Sequence, residues 1–92
     1  MQNNLQIIVS GKVQGVFFRK CTMQKANELN LKGFVANQKD GSVKIIACGE
    51  AENLDALILW CNTGSPGSLV EKVEVKKSDT GSNYKKFEIS WF

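Results

Sequence analysis

Arg19 is the sole arginine in a chain with twelve cationic side chains; the other eleven are lysines. A guanidinium offers two phosphate oxygens a planar fork at once, which an ammonium cannot. Arg19 closes a loop that leaves a strand and enters a helix, Gly11-Lys12-Val13-Gln14-Gly15-Val16-Phe17-Phe18. Glycine lets a backbone approach a ligand and turn successive N–H groups inward, which makes an anion nest. A helix start adds unpaired N–H donors and partial positive charge. The N–H groups of Gln14, Gly15, Val16, Phe17 and Phe18, with Arg19, therefore form a candidate cradle for a single phosphoryl group. The alternative is an ordinary strand-to-helix loop carrying a surface arginine. Neither G-x-x-x-x-G-K-[ST] nor G-x-G-x-x-G occurs, so this is not a nucleoside-triphosphate loop or a dinucleotide fingerprint of known type.

Asn37 is the second candidate. It falls on a predicted strand beside a hairpin, where asparagine is disfavoured. Its side-chain carbonyl accepts a hydrogen bond from water, but it is no base near neutral pH. Capping of the turn is the alternative role. The chain contains no histidine. That removes the usual general base and the commonest metal ligand together. A covalent phosphatase of the C-x₅-R type is excluded, because Arg19 precedes Cys21, Cys48 and Cys61. Three cysteines without a C-x-x-C also argue against a disulfide framework or a zinc ribbon. Cys21, beside Arg19 and Lys20, is read as an inert neighbour in preference to a redox-sensitive thiol.

The elements that must hold these residues follow from periodicity. A strand is expected over 5–10, where Leu5, Ile7 and Val9 alternate with polar residues. A helix is expected over 18–29, with Phe18, Thr22, Ala26 and Leu29 on one stripe. Asn30 suits a left-handed helix end. Strands over 34–38 and 42–48 flank the turn Lys39-Asp40-Gly41, with Gly49 breaking the second. A helix over 50–62 buries Leu54, Leu57, Ile58 and Cys61. A strand over 69–77 carries Val73 and Val75. A polar turn over 78–83 leads to a last strand over 84–91, with Phe87, Ile89 and Trp91 on one face. The order predicts an α+β, ferredoxin-like βαββαβ sandwich: an antiparallel sheet of four to five strands with two helices on one face.

At 92 residues, one domain over 1–92 is expected. Such a domain buries roughly 60–65% of the surface its unfolded chain exposes, which suits a shallow surface site. A net charge of +3 biases only mildly towards anions. A base-stacking nucleic-acid module of this topology would carry aromatic residues on its central strands, and 5–10 and 42–48 carry none. No apolar run is long enough to cross a bilayer. Met1-Gln2-Asn3-Asn4 has no secretory pattern, so a cytoplasmic location is expected.

The run Val9-Ser10-Gly11-Lys12-Val13-Gln14-Gly15-Val16-Phe17-Phe18-Arg19 resembles the first signature of acylphosphatases. Gly33-Phe34-Val35-Ala36-Asn37-Gln38-Lys39-Asp40-Gly41-Ser42-Val43, with Gly49 beyond it, resembles the second. The resemblance extends over the rest of the chain, including Trp60, Gly64-Ser65-Pro66 and the ending around Phe87. It implies hydrolysis of an acyl phosphate to a carboxylate and inorganic phosphate. Arg19 matches the family's phosphate-binding arginine, Asn37 its water-orienting asparagine, and Gln14 to Phe18 its phosphate loop. The resemblance further implies a monomer with no metal or organic cofactor, no nucleic-acid or membrane partner, and a site that takes phosphate or sulfate. A non-enzymatic anion- or protein-binding domain, as when such a domain is a piece of a larger carbamoyl-phosphate-handling protein, is a further alternative to a free-standing enzyme. Ala36, where relatives often carry a longer polar residue, is expected to alter contacts with the leaving group.

Overall fold

The computed structural model describes residues 2–15, 17–78 and 84–90. The elements run β1 (Gln2–Lys12), α1 (Phe18–Glu28), β2 (Lys32–Asn37), β3 (Val43–Glu50), α2 (Ala51–Thr63), β4 (Leu69–Lys77) and β5 (Phe87–Ile89). They form one five-stranded sheet in the order β4-β1-β3-β2-β5. β3 lies antiparallel between β1 and β2, and β1 lies antiparallel between β3 and β4. β1 and β2 therefore run the same way with β3 inserted between them, which is the split βαβ arrangement of the ferredoxin-like fold.

Three expectations change. β1 is longer than 5–10 because it has partners on both sides: β3 from Gln2 onward and β4 as far as Lys12. The ladder carries polar residues that periodicity alone would leave out. Gly49 does not end β3, which continues to Glu50; Gly49 is buried with its backbone close against Leu31. The last strand is only Phe87–Ile89, and it pairs parallel to β2, so the sheet is mixed. Trp91 and residues 79–83 of the expected polar turn lie outside the described residues.

Both helices cover the same face. Ile7, Val9, Val35, Val43 and Ile45 from the sheet meet Phe18 and Ala26 of α1 and Leu54, Leu57 and Cys61 of α2 in one core. Each fully buried aliphatic or aromatic side chain of this kind contributes roughly 1.5–3 kcal/mol. Phe18 packs on Trp60 with ring centroids 5.4 Å apart, tying the start of α1 to α2. Thr22, buried among them, donates its hydroxyl to the Phe18 carbonyl at 2.8 Å, so burial strands no polar group. α1 ends where Asn30 turns left-handed at φ 57, and the Leu31 N–H closes back on the Ala26 carbonyl at 2.9 Å. Val75 is 41% exposed on β4, which is an edge strand.

Gly33 holds β2 in place through close approach. Its φ is +138, and a Cβ there would strike the Ile46 backbone carbonyl on β3. Gly33→Ala is expected to cost at least about 2 kcal/mol, since neither the backbone angle nor the ladder accommodates it. A urea midpoint lowered accordingly, with unchanged slope, is the measurement.

Candidate active site

The sheet register decides where Asn37 points. Val43 of β3 pairs with Val9 of β1 and with Asn37 of β2, so the three stand in one row across the sheet. Paired residues in a row share a face. Val9 and Val43 are both fully buried beneath the helices. Asn37 is therefore on the helix-covered face, at the sheet end where β1 hands the chain to α1. Its Oδ1 is buried, and no donor among the described residues reaches it. An unmet buried carbonyl is uncommon and costs on the order of 1–3 kcal/mol unless something donates to it. Ala36 alternates with Asn37 along β2 and is 1% exposed. By strand alternation its side chain starts from the other face, although Ala36 also lines the hollow beside Asn37.

The loop before α1 is pinned at both ends and strained in the middle. Val13 and Phe18 are each 1% exposed, whereas Gly15 and Phe17 between them are exposed. Gly15 has φ 76 and Phe17 φ 58. A left-handed phenylalanine is costly, on the order of 1–2 kcal/mol. A left-handed residue followed by a helical one is the backbone pattern of an anion nest, which here turns the N–H groups of Phe17, Phe18 and Arg19 to one side. The first helical bond runs from the Cys21 N–H to the Phe17 carbonyl at 3.0 Å. The preceding N–H groups have no acceptor within the helix. Among the described residues no side chain caps this end, and no acidic residue stands in the first turn. The half-buried Arg19 thus stands in the first turn at the positive end of α1. Val16 lies outside the described residues.

Gln14 supplies a link that sequence reasoning missed. Its side-chain Nε2 donates to the carbonyls of Gln38 at 2.8 Å and Ser42 at 3.0 Å. These carbonyls sit at the two ends of the β2–β3 turn, where the Gln38 N–H also donates to the Ser42 carbonyl at 2.8 Å. Both amide hydrogens of Gln14 are spent on holding the cradle loop against the hairpin that carries Asn37. No local signal marks this, because the partners are 24 and 28 residues away. The hairpin is braced from within as well. Asp40 Oδ1 accepts from the Ser42 hydroxyl at 2.6 Å and from the Ser42 N–H at 2.9 Å. These bonds hold the Asp40 carboxyl below the usual 3.8.

Gly15, Phe17, Phe18 and Arg19 line one open hollow of about 480 Å³ together with Val13, Lys20, Met23 and Ile89. Asn37 lines a second of about 400 Å³ with Gln38, Lys39 and Asp40. Cys21 is half-buried, and Cys48 and Cys61 are buried. Burial pushes the Cys61 thiol up to about 12, so it is no nucleophile. Among the described residues no three His, Cys, Asp or Glu side chains converge as metal ligands, and no helix is long and apolar enough to cross a membrane.

The fold is ferredoxin-like α+β, with a left-handed, glycine-bearing turn at the start of its first helix. The sequence model of the acylphosphatase family matches residues 5–89. The chain is 45% identical over 84 residues to an acylphosphatase of Shewanella amazonensis, covering 91% of this chain and 92% of that one. It is 46% identical over 87 residues to an acylphosphatase of Archaeoglobus fulgidus, covering 95% and 97%. The crystal structure of acylphosphatase from Bacillus subtilis superposes with a TM-score of 0.91 at 36% identity, covering 98% and 99%. The chain belongs to the acylphosphatase family, and its activity is the hydrolysis of acyl phosphates.

Two predictions follow from the braced hairpin. Gln14→Leu keeps the volume but removes both bonds; kcat/KM is expected to fall on the order of 10²-fold, as for a small misplacement of reacting groups, while the thermal midpoint moves by only a few degrees. The carboxyl of Asp40 is expected to titrate below 3.8 by NMR and to return towards that value in Ser42→Ala. Because its folded pKa is depressed, the stability it contributes is present above 3.8 and is lost as pH falls through the lower folded value.

Proposed function

We propose that the phosphoryl group of the substrate is held in the turn between β1 and α1 by Arg19 and by the backbone N–H groups of Gln14, Gly15, Val16, Phe17 and Phe18, while the Asn37 carbonyl holds the attacking water. The observation that carries this reading is the buried Asn37 Oδ1, unmet by any donor among the described residues, at the sheet end crossed by the cradle loop. A water there would give that oxygen its donor and would itself be oriented by it.

The chemistry asks for little else. The water oxygen forms a bond to phosphorus, the bond from phosphorus to the carboxyl oxygen breaks, and the carboxylate leaves with the electron pair. A carboxylate is a good leaving group and needs no acid to expel it. Phosphoryl transfer proceeds mainly by positioning and charge stabilisation, which Arg19 and the N–H groups supply to the equatorial oxygens. A phosphate oxygen of the substrate takes the proton of the water. The lack of histidine in the chain motivates that assignment, and so does the engagement of Asp40, the carboxylate nearest Asn37 in sequence, with Ser42. Inorganic phosphate and sulfate fit the same cradle, and neither metal nor organic cofactor has a role in this scheme.

We further propose one domain, acting as a cytoplasmic monomer. Free cysteines suit a reducing compartment. The edge strand β4 is studded with Lys72, Glu74, Lys76 and Lys77, and the other edge, β5, is three residues long; both discourage edge-to-edge pairing.

Arg19→Ala is expected to lower kcat/KM for benzoyl phosphate by about 10²–10³-fold or more, and Arg19→Lys to restore little of it, because a point charge cannot replace the fork. Asn37→Ala is expected to lower kcat while leaving the inhibition constant of inorganic phosphate nearly unchanged. Turnover that survives intact in Asn37→Ala would refute the role given to its carbonyl. Without added metal the protein is expected to cleave benzoyl phosphate and not a phosphate monoester.

A further inference from the structure

The hollow beside Arg19 is more apolar than phosphate binding requires. Arg19 and the cradle residues Gly15, Phe17 and Phe18 form part of its lining. Met23 and Ile89 form another part, and neither has a role in holding a phosphate. Met23 stands one turn beyond Arg19 on α1 and is partly buried against the core. Ile89 on β5 is paired with Val35 of β2 and is likewise only partly covered. Phe17 is 78% exposed, held there by its left-handed backbone at the edge of the cradle. The volume, about 480 Å³, is that of a small-molecule site.

We infer that Phe17, Met23 and Ile89 form a subsite for the acyl group, and that this protein selects acyl phosphates whose acyl part is apolar and several carbons long. The inference rests on the seating of the phosphoryl group proposed above. A phosphate gripped by Arg19 and the N–H groups of Phe17 and Phe18 has the oxygen that bridges it to the acyl group within reach of the hollow those residues share. A short or strongly polar acyl group would leave the apolar lining wet. An alkanoyl or aryl group would take it out of water, with a gain that scales with the area covered. Lys20 also lines the hollow, but it is exposed and its ammonium remains hydrated, so it tolerates an apolar ligand.

The test compares acetyl, butanoyl and hexanoyl phosphate, whose carboxylate leaving groups differ little in basicity. A fully buried methylene is worth about fourfold in kcat/KM, and half burial about twofold. Hexanoyl phosphate is therefore expected to exceed acetyl phosphate by roughly tenfold or more in the unaltered protein. Met23→Gln, which keeps length and helix propensity but adds an amide, is expected to cut that ratio several-fold. Phe17→Ser, at a side chain outside the core, is expected to do the same and serves should Met23→Gln fold poorly. The readout is the ratio of the two substrates in each variant, which loss of folded protein does not move. A ratio near one in the unaltered protein, or one unchanged in the variants, overturns the subsite and leaves the hydrolase reading intact. Preference for glutaryl over hexanoyl phosphate also overturns it, because Lys20 would then be choosing the substrate. Failure to cleave any of the three would instead count against the hydrolase reading itself.

Discussion

The strained entry into α1 is the constraint on which the rest of the molecule turns. Phe17 is held left-handed and exposed, and among the described residues the helix it opens has no capping side chain and no acid in its first turn. Left to itself, such a segment would relax to bury the ring and cap the helix. It is held open by the core on either side. Val13 is locked under the helices, and Phe18 is locked between the sheet and Trp60. Strain of this kind persists only where surrounding structure over-determines it. Here the surrounding structure is the main hydrophobic core, so the stability of the fold and the readiness of the cradle are not separate properties.

The second requirement is that the cradle and Asn37 move as one body. They belong to different strands, and β3 lies between those strands. Register alone puts Asn37 level with Val9, roughly two strand spacings or about 10 Å across the sheet. The carboxamide of Gln14 spans from the loop to the hairpin, and Ser42 with Asp40 stiffens the turn it grips. Hairpin turns are ordinarily among the looser parts of a fold. This one is tied to its own carboxylate and to a loop far away in sequence, which suits a site that works by position.

The fold was legible in sequence wherever periodicity and local chemistry agreed. In the stripe Phe18, Thr22, Ala26, Leu29 and the series Leu54, Leu57, Ile58, Cys61 all are buried except Leu29 and Ile58, which are half-buried, and Asn30 takes the left-handed form expected of it. What was not legible depends on partners distant along the chain. β1 extends to Gln2 because β3 is beside it, and β5 runs parallel to β2 because tertiary packing, not its three residues, chooses the edge it joins. The candidate site divides the same way. Arg19 and the glycine-bearing loop declare themselves by type and spacing, and Asn37 by standing in a strand. The side-chain bonds of Gln14 and the burial of the Asn37 oxygen emerge only once β1 and β2 are aligned on β3.

In the mechanism proposed above, those two emergent features carry hydrolysis in a chain without histidine. Of the carboxylates, Asp40 is closest to Asn37 in sequence, but its Oδ1 is committed to Ser42, and its lowered pKa makes it a weaker proton acceptor still. A site built this way cannot gain much rate from proton transfer to the protein. It must gain it from charge held ready on the phosphate and from a water that arrives already oriented. Both demands fall on rigidity. On that proposal the left-handed turn fixes the donors, the buried carbonyl of Asn37 fixes an acceptor, and the bonds of Gln14 help set the distance between them. A loosened Gln14 would leave the two halves aligned only by the sheet register and the core.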